Sequence, residues 1–483
     1  VDAAGKRRGP GRAGVRAPIV ARKGRNGPGA KGAQEGGDVT DRPGQQPDGV
    51  PGKGATPAGE IRARWAWVEA EVWTERRLTA LEQGVLGGKG FSLMDKVYAL
   101  PNLRRAFARV KANSGAAGLD HVTVEEFERH LEANLGKLSR TLKDGSYRPQ
   151  AIRRAWIPKL GSKEKRPLGI PTVRDRVVQA ALRAMLEPIF ERDFAAQSYG
   201  FRPNRSCKDA LRRVDALLKA GYHQVVDADL KSYFDTIPHA GLLERVEGKV
   251  RDGKGLGRLA AFLTARIMET MEGWTPEAGT PQGAVISPLL SNLYLDPLDR
   301  QMVEKGFERV RYADDFVILC RSERKARQAL TEVQEWTAKA GLRLHPTKTR
   351  IVDATLPGGF DFLGYHFEQG SRWPRAKSLQ KFKDTVRAKT RRTHGHRFQD
   401  IVADLNRTLG GWFEYFKHSH RYTFTELDHW IRMRLRSILR QCQGRRGRGR
   451  GWDHHRWPNA FFARQGLFSL ADAHAVVCQS SRR

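Results

Sequence analysis

The chain has 483 residues, with 86 lysines and arginines against 53 aspartates and glutamates, a net charge of +33 and a pI near 10.4. That balance favours a polyanionic partner and excludes a small neutral ligand as the only one. No apolar run approaches the roughly 18 residues that span a bilayer, no apolar signal core is present, and Cys207, Cys320, Cys442 and Cys478 are isolated, which excludes a disulfide framework or zinc ribbon and makes a reducing cytoplasm the expected compartment.

Residues 1–60 hold 15 glycines, 7 prolines and 11 basic residues, with almost no large apolar ones. Such a stretch cannot bury enough surface to offset chain entropy. It is expected to be disordered, either a loose polyanion-binding arm or a stretch without function. Residues 61–150 read as a helical extension. Ile61, Trp65, Trp67, Val68, Val72, Trp73 and Leu78 fit one amphipathic helix reaching Leu86, with its tryptophans packing inward. Helical patterns around Leu93-Met94-Val97 and Phe127-Leu131-Leu135 flank the loop Asn113–Asp120. Arg174 to Phe190 is apolar at 177, 178, 181, 182, 185, 186 and 189, a continuous helical face.

The segment 224–230 alternates Val226, Ala228 and Leu230 with Asp227 and Asp229, so both carboxylates leave one face of a strand. Further on, Arg309–Leu319 places Tyr312-Ala313-Asp314-Asp315 between two β-favouring apolar runs. This reads as a hairpin with two carboxylates at its turn. An isolated Asp-Asp is ordinarily a solvated turn. A carboxylate from the upstream strand, brought to the pair, would instead make an all-oxygen site of the kind Mg²⁺ prefers. Two such metals about 4 Å apart can activate a 3′-hydroxyl and stabilise a leaving pyrophosphate. Mixed helix and antiparallel strand across residues 151–370 implies an α+β class.

From Leu379 the pattern is all helical. Phe398, Ile401, Val402, Leu405, Leu409, Trp412, Phe413 and Phe416 hold a helix period. Arg432, Arg436 and Arg440 follow at i, i+4, i+8, a stripe with no interleaved acid, and are expected to bind RNA phosphates. From Ser371 to the last residue there are 25 basic and 8 acidic residues, which strengthens the case for nucleic acid. The helical region is expected to end at 441. Residues 442–483 then read as a basic tail with a Gly/Arg linker and a small packed element, a candidate DNA-binding part.

Several segments together carry a family resemblance. Lys165–Gln179, Ser198–Ser206, Gln224–Asp235, Gly279–Asn292 and Tyr312–Asp315 match, in order, motifs of reverse transcriptases. They resemble most the group II intron-encoded reverse transcriptase/maturase family. The resemblance runs from about residue 91 to 440; Ala284 stands where the family more often has glycine. It implies a right-hand polymerase fold, with fingers and palm over 151–370, an N-terminal extension, and an all-α thumb or maturase domain over 371–441.

Carried over residue by residue, the resemblance makes Asp229, Asp314 and Asp315 the ligands of two Mg²⁺ ions, with the carbonyl of Leu230 adding a ligand. Asp227 and Asp235 are the rival carboxylates. Lys159, Arg166, Phe234 and Gln282 would contact the deoxynucleoside triphosphate; Phe234 would exclude a ribose 2′-hydroxyl, and Lys348 is a candidate general acid. Phe362, Leu363 and Gly364 resemble the primer-gripping segment. The implied partners are group II intron RNA, an RNA template with a DNA or RNA primer, a DNA target and deoxynucleotides, in a bacterial-type cytoplasm near the nucleoid and with no membrane. A host-adopted reverse transcriptase of defence or DNA repair, and a splicing-only maturase, are the alternatives. Cys442, Cys478, His454, His455 and His474 lack paired ligand spacing, so no nicking endonuclease module is expected.

Overall fold

The computed structural model describes residues 58–83, 93–158, 165–270, 272–392, 395–445 and 447–480. Lys159, the turn at 161–163 and residues 1–57 of the Gly/Pro-rich segment lie outside the described residues. The strands are β1 (Ile152–Pro158), β2 (Lys165–Ile170), β3 (Gln224–Asp229), β4 (Ile267–Glu269), β5 (Glu272–Trp274), β6 (Glu308–Tyr312), β7 (Asp315–Cys320), β8 (Arg350–Asp353), β9 (Phe360–Phe362), β10 (Tyr365–Glu368) and β11 (Ser371–Pro374).

They form three sheets, in the orders β2-β1-β4-β5, β6-β7-β3-β8 and β11-β10-β9. The second is antiparallel throughout and carries the acidic residues. Its β7 is a run of buried apolar residues because both its faces are covered. Phe316 and Ile318, with Val226 and Ala228, pack into the main core. Val317 and Leu319, with Val225 and Val310, pack under the helix Cys207–Lys219 and against Phe360 and Phe362.

The main core runs from Ile61 to Leu342, so the N-terminal extension and the acidic sheet share one interior. The helix Leu100–Asn113 buries Leu103, Ala106, Phe107 and Val110, and the long helix Val173–Glu191 buries almost every side chain. Where one helix was expected from Ile61 to Leu86, there are two, Ala58–Arg64 and Glu75–Gln83. The chain turns between them so that both large indoles go inward and find acceptors. Trp65 donates to Glu82 (2.7 Å) and Trp73 to the Ala184 carbonyl (3.0 Å). A buried indole N–H needs such a partner, and a straight helix would not reach both.

The C-terminal helices Ala376–Lys389, Phe398–Phe416 and Arg421–Cys442 form a separate core around Leu405, Leu409, Leu427 and Leu435. Trp457, Phe462 and Leu470 are buried in that same core. Position 441 is therefore no boundary in packing: the following helices Gly451–Arg456, Asn459–Arg464 and Leu470–Ser480 fold back onto the bundle. This also corrects the reading of the arginine stripe. Arg436 is 4% exposed, donating to the Trp457 carbonyl (2.9 Å) and to Asn459 (3.0 Å) over the Phe462 ring. Arg440 pairs with Asp453 at 2.6 Å, and Arg432 lies 3.9 Å from Asp428. The stripe is an internal frame for the returning segment. Its counter-charge comes from Asp453 as well as from its own helix, which the helix pattern alone did not reveal.

Candidate active site

The register of the acidic sheet sets the site. Asp229 stands opposite Asp315, and Asp227 one step back opposite Val317. Tyr312 pairs with Asp315, leaving Ala313-Asp314 as a two-residue turn. Ala313 has φ +62°, a conformation that costs a residue with a Cβ roughly 1–2 kcal/mol. The surroundings hold it there. Arg311 Nη1 donates to the Ala313 carbonyl (2.9 Å) and to Asn292 Oδ1 (2.8 Å), while Asn292 Nδ2 donates to the Gly200 carbonyl (2.8 Å). Gly200 itself lies against the turn: a Cβ there would sit 2.2 Å from the Ala313 nitrogen. The segment before it is tied to β6 by Tyr199 N–H to the Arg311 carbonyl (2.8 Å).

Beneath the turn, Arg309 and Arg311 are both 0% exposed and share one counter-ion, Asp299. Two buried cations against one buried anion leave a surplus positive charge below the carboxylates.

Above it the negative charges crowd one another. Asp314 is held above the ordinary carboxylate range by burial and by Asp229, with Arg166 and Arg311 opposing. Asp315 faces solvent at the sheet end yet is ringed by protein; lost hydration, then Asp314, Asp227 and Asp229, push it up, against Arg375. Asp227 rises to about 6, chiefly through burial, although Arg350 lies 3.6 Å away. No three acidic, histidine or cysteine side chains form a ready metal cage among the described residues. Asp229 Oδ2 instead receives Lys348 Nζ at 2.6 Å. The donor set fits a hard divalent cation all the same. It is all oxygen, it clusters at one sheet end, and its mutual repulsion is what a cation would relieve.

Of the rival carboxylates, Asp227 is near enough to raise Asp315, but each has a basic neighbour of its own. Asp227 is committed to Arg350, and Asp235 lies on the short helix Tyr233–Thr236, its acidity weakened by burial and restored in part by Arg154. Leu230 follows Asp229 with its side chain buried.

A cleft of about 470 Å³ between the first sheet and the palm-side loops is lined by Phe234, Asp235, Gln282, Arg154 and Trp274, among others. Phe234 is half-buried against Tyr233, and its carbonyl accepts the Thr280 N–H (2.7 Å). Gly279, at φ +93°, passes so close to the Phe234 and Asp235 carbonyls that a Cβ would be 2.8 Å from each. Arg166 is not in this cleft. Arg154 pairs with Gly169 and Trp156 with Pro167 on the cleft-facing side, whereas Arg166 pairs with Ile157 on the other. That other side is the one from which Arg166 acts on Asp314. The expected nucleotide contacts thus divide between the two faces of the hairpin, and Lys159 lies outside the described residues.

Phe362, Leu363 and Gly364 form the β9–β10 turn, with Leu363 and Gly364 both at positive φ (+47° and +86°). Phe362 is buried; the Leu363 carbonyl accepts the Tyr415 hydroxyl (2.6 Å), and the Gly364 carbonyl accepts the Arg375 N–H (2.9 Å). This ties the turn to the helical bundle and brings Arg375 toward Asp315.

Asp299, Asn292, Arg311 and Arg375 are the site's supporting residues that sequence reasoning missed. The available signal was the alternation of Arg309 and Arg311 with Val310 and Tyr312, which puts two positive charges on one face of a strand.

Comparison with known proteins gives the following. Residues 157–367 match the family described as reverse transcriptase (RNA-dependent DNA polymerase), and residues 379–457 match the group II intron maturase-specific domain. Group II intron-encoded protein LtrA of Lactococcus lactis subsp. cremoris is 39% identical over 201 residues, 41% of this chain and 33% of that protein. Protein YkfC of Escherichia coli (strain K12) is 34% identical over 302 residues, 53% of this chain and 78% of that protein. The chain therefore spans about a third of the first of these relatives. Among solved structures, a partial Cas6-RT-Cas1–Cas2 complex aligns at 24% identity with a TM-score of 0.34, covering 51% of this chain and 43% of that one.

Proposed function

The chain belongs to the group II intron-encoded reverse transcriptase/maturase family, and from that premise we propose that it is an RNA-directed DNA polymerase that also binds its intron RNA to assist splicing and mobility. The fold is the α+β right hand of such polymerases followed by a helical region. The observation that carries the catalytic reading is the pairing of Asp229 with Asp315 across β3 and β7, beside the Ala313-Asp314 turn.

In this reading Asp229, Asp314 and Asp315, with the Leu230 carbonyl, hold two Mg²⁺ ions. Ions held by these residues would supply acidification of a primer 3′-hydroxyl and charge neutralisation for the departing pyrophosphate. The chain's own residues orient and exclude. Arg166, from the Asp314 side of the hairpin, and Lys159 take triphosphate oxygens. Gln282 supports the templating pair. Lys348, already at Asp229, holds a proton at Nζ that it can deliver to pyrophosphate. The Leu363-Gly364 turn, fixed by Tyr415 and Arg375, grips the primer end. The matched maturase region takes intron RNA, and a DNA target supplies the insertion site. No helix among the described residues is long and apolar enough to cross a membrane; association with the nucleoid during mobility belongs to this proposal. The direct test is primer extension on an RNA template with deoxynucleotides and Mg²⁺. A folded chain that extends no primer would reject the reading.

Phe234 gives a second measurement. Its ring lines the cleft five residues after Asp229. Phe234→Val should raise ribonucleotide incorporation roughly 10–200-fold relative to deoxynucleotide, the range that a hydrophobic pocket discriminates by size. Unchanged discrimination in a competition assay would return Phe234 to a packing role.

A further inference from the structure

Between Asp428 and Asp472 the chain contains one carboxylate, Asp453. It is buried and turned inward. Arg440 donates to it at 2.6 Å, and the Arg450 N–H at 2.8 Å. Arg445, Arg448, Arg450 and Arg456 are all exposed along the same loop and short helix. The outward surface of this segment is therefore positive without an acidic side chain of its own to offset it.

Trp452 stands among these arginines. It is 86% exposed, more than any other large apolar side chain among the described residues. Trp457, five positions on, shows what a packing tryptophan does here: it is 7% exposed, in the core of the bundle. Trp452 touches only His455, ring edge to face at 6.0 Å between centroids, among the ring contacts of the described residues. Its backbone is nonetheless firmly held. The Arg440–Asp453 pair fixes the following residue, and Arg436 holds the Trp457 carbonyl and Asn459. The inward arginines thus form a rigid seat, and the seat presents an indole ring to solvent in a segment whose exposed charged residues include Arg445, Arg448, Arg450 and Arg456.

We propose that this exposed tryptophan, in its arginine-rich segment, is a docking point for an unpaired segment of structured RNA, Trp452 stacking on an exposed base while Arg445, Arg448, Arg450 and Arg456 take the flanking phosphates. The choice of RNA rests on the proposed function; the chemistry of the site asks for unpaired nucleotides. A duplex offers phosphates but no free base face, so the arginines alone could not use the indole. Base–aromatic stacking of this kind tolerates any base identity.

The test uses the full chain and three labelled probes: an RNA hairpin with a long unpaired loop, a blunt RNA duplex of equal length, and a DNA hairpin of the same loop sequence. Primer extension by the unaltered chain is measured separately, so a failure of the polymerase reading shows itself there and not in the docking assay. Trp452→Ala should weaken binding of the looped RNA about tenfold, within the range measured for one stacked base. Binding of the blunt duplex and primer extension should not change. Trp452→Phe should recover most of the loss, because a ring is restored. Replacing Arg445, Arg448 and Arg456 together with glutamine should flatten the salt dependence of loop binding by about two in log–log slope, at roughly 0.7 per phosphate contact on single strands. Equal affinity of Trp452→Ala and the unaltered chain for looped RNA would overturn the proposal. So would an equal loss on the blunt duplex, or a loss confined to the DNA hairpin.

Discussion

Asp314→Ala should cut primer extension by on the order of a thousandfold or more while RNA binding stays at the level of the unaltered chain. The expected size follows from what the residue does. Phosphoryl transfer depends almost wholly on positioning and charge neutralisation, and removing one well-placed electrostatic contact already costs about 10²–10³-fold in other enzymes. Asp314 also sits beside Ala313 in its left-handed conformation, which the Arg311 contact to the Ala313 carbonyl holds, so its placement is set by the turn. Asp227→Asn is the informative comparison. Asp227 lies two residues before Asp229 in β3 but has Arg350 at 3.6 Å, and its replacement should leave extension within about tenfold. Each tenfold step is about 1.4 kcal/mol of barrier, so the two variants should differ by at least 2–3 kcal/mol. Equal losses in both would mean that the site depends on the summed charge of the strand end and not on Asp229, Asp314 and Asp315 as specific ligands.

Much of this site was legible because local patterns carried it. The alternation at 225–229 fixed the face from which Asp227 and Asp229 project, and the apolar runs around Asp314-Asp315 fixed a hairpin. Both follow from backbone periodicity, which a single segment contains. What was not legible depends on partners far away in the chain. The burial of Arg309 and Arg311 is one such case: charged residues alternating with apolar ones ordinarily mark a half-buried strand, and only Asp299, on another element, makes their burial tolerable. Arg436 and Arg440 were misread for the same reason, their acceptors being Trp457, Asn459 and Asp453 in a segment that returns to the bundle. The placement of Arg166 on the face away from the cleft depends on strand register, which hydrophobic pattern specifies weakly in a short hairpin rich in arginine and proline.

The second large effect concerns Asp299. Its carboxylate accepts Arg309 Nη1 at 2.8 Å and Arg311 Nη2 at 2.5 Å, and all three side chains are 0% exposed. Asp299→Ala leaves two buried guanidinium groups without a counter-charge. Breaking a buried pair in this way costs about 3–5 kcal/mol, a large share of the roughly 5–15 kcal/mol by which a folded domain is stable. Urea unfolding should show the loss as a lower midpoint with little change in slope. The two arginines should then differ from each other. Arg309 sits 4.0 Å over the Phe316 ring, and its Nε and Nη2 find no hydrogen-bond partner among the described residues. Arg309→Met would remove the surplus charge, leave Arg311 and Asp299 as a balanced pair, and fill the space with a flexible apolar chain. A change of that kind is often neutral or stabilising, so stability should fall by less than about 1.5 kcal/mol, the usual limit for a tolerated core exchange. Arg311→Met removes the better-satisfied partner and also unlatches Ala313 and Asn292. It should destabilise strongly. At temperatures where it remains folded it should still extend primers poorly, because the turn carrying Asp314 has lost the donor that holds Ala313 at positive φ. Equal destabilisation by the two arginine variants, with extension intact in both, would show that the buried charges serve the core alone and that the turn holds its shape without them.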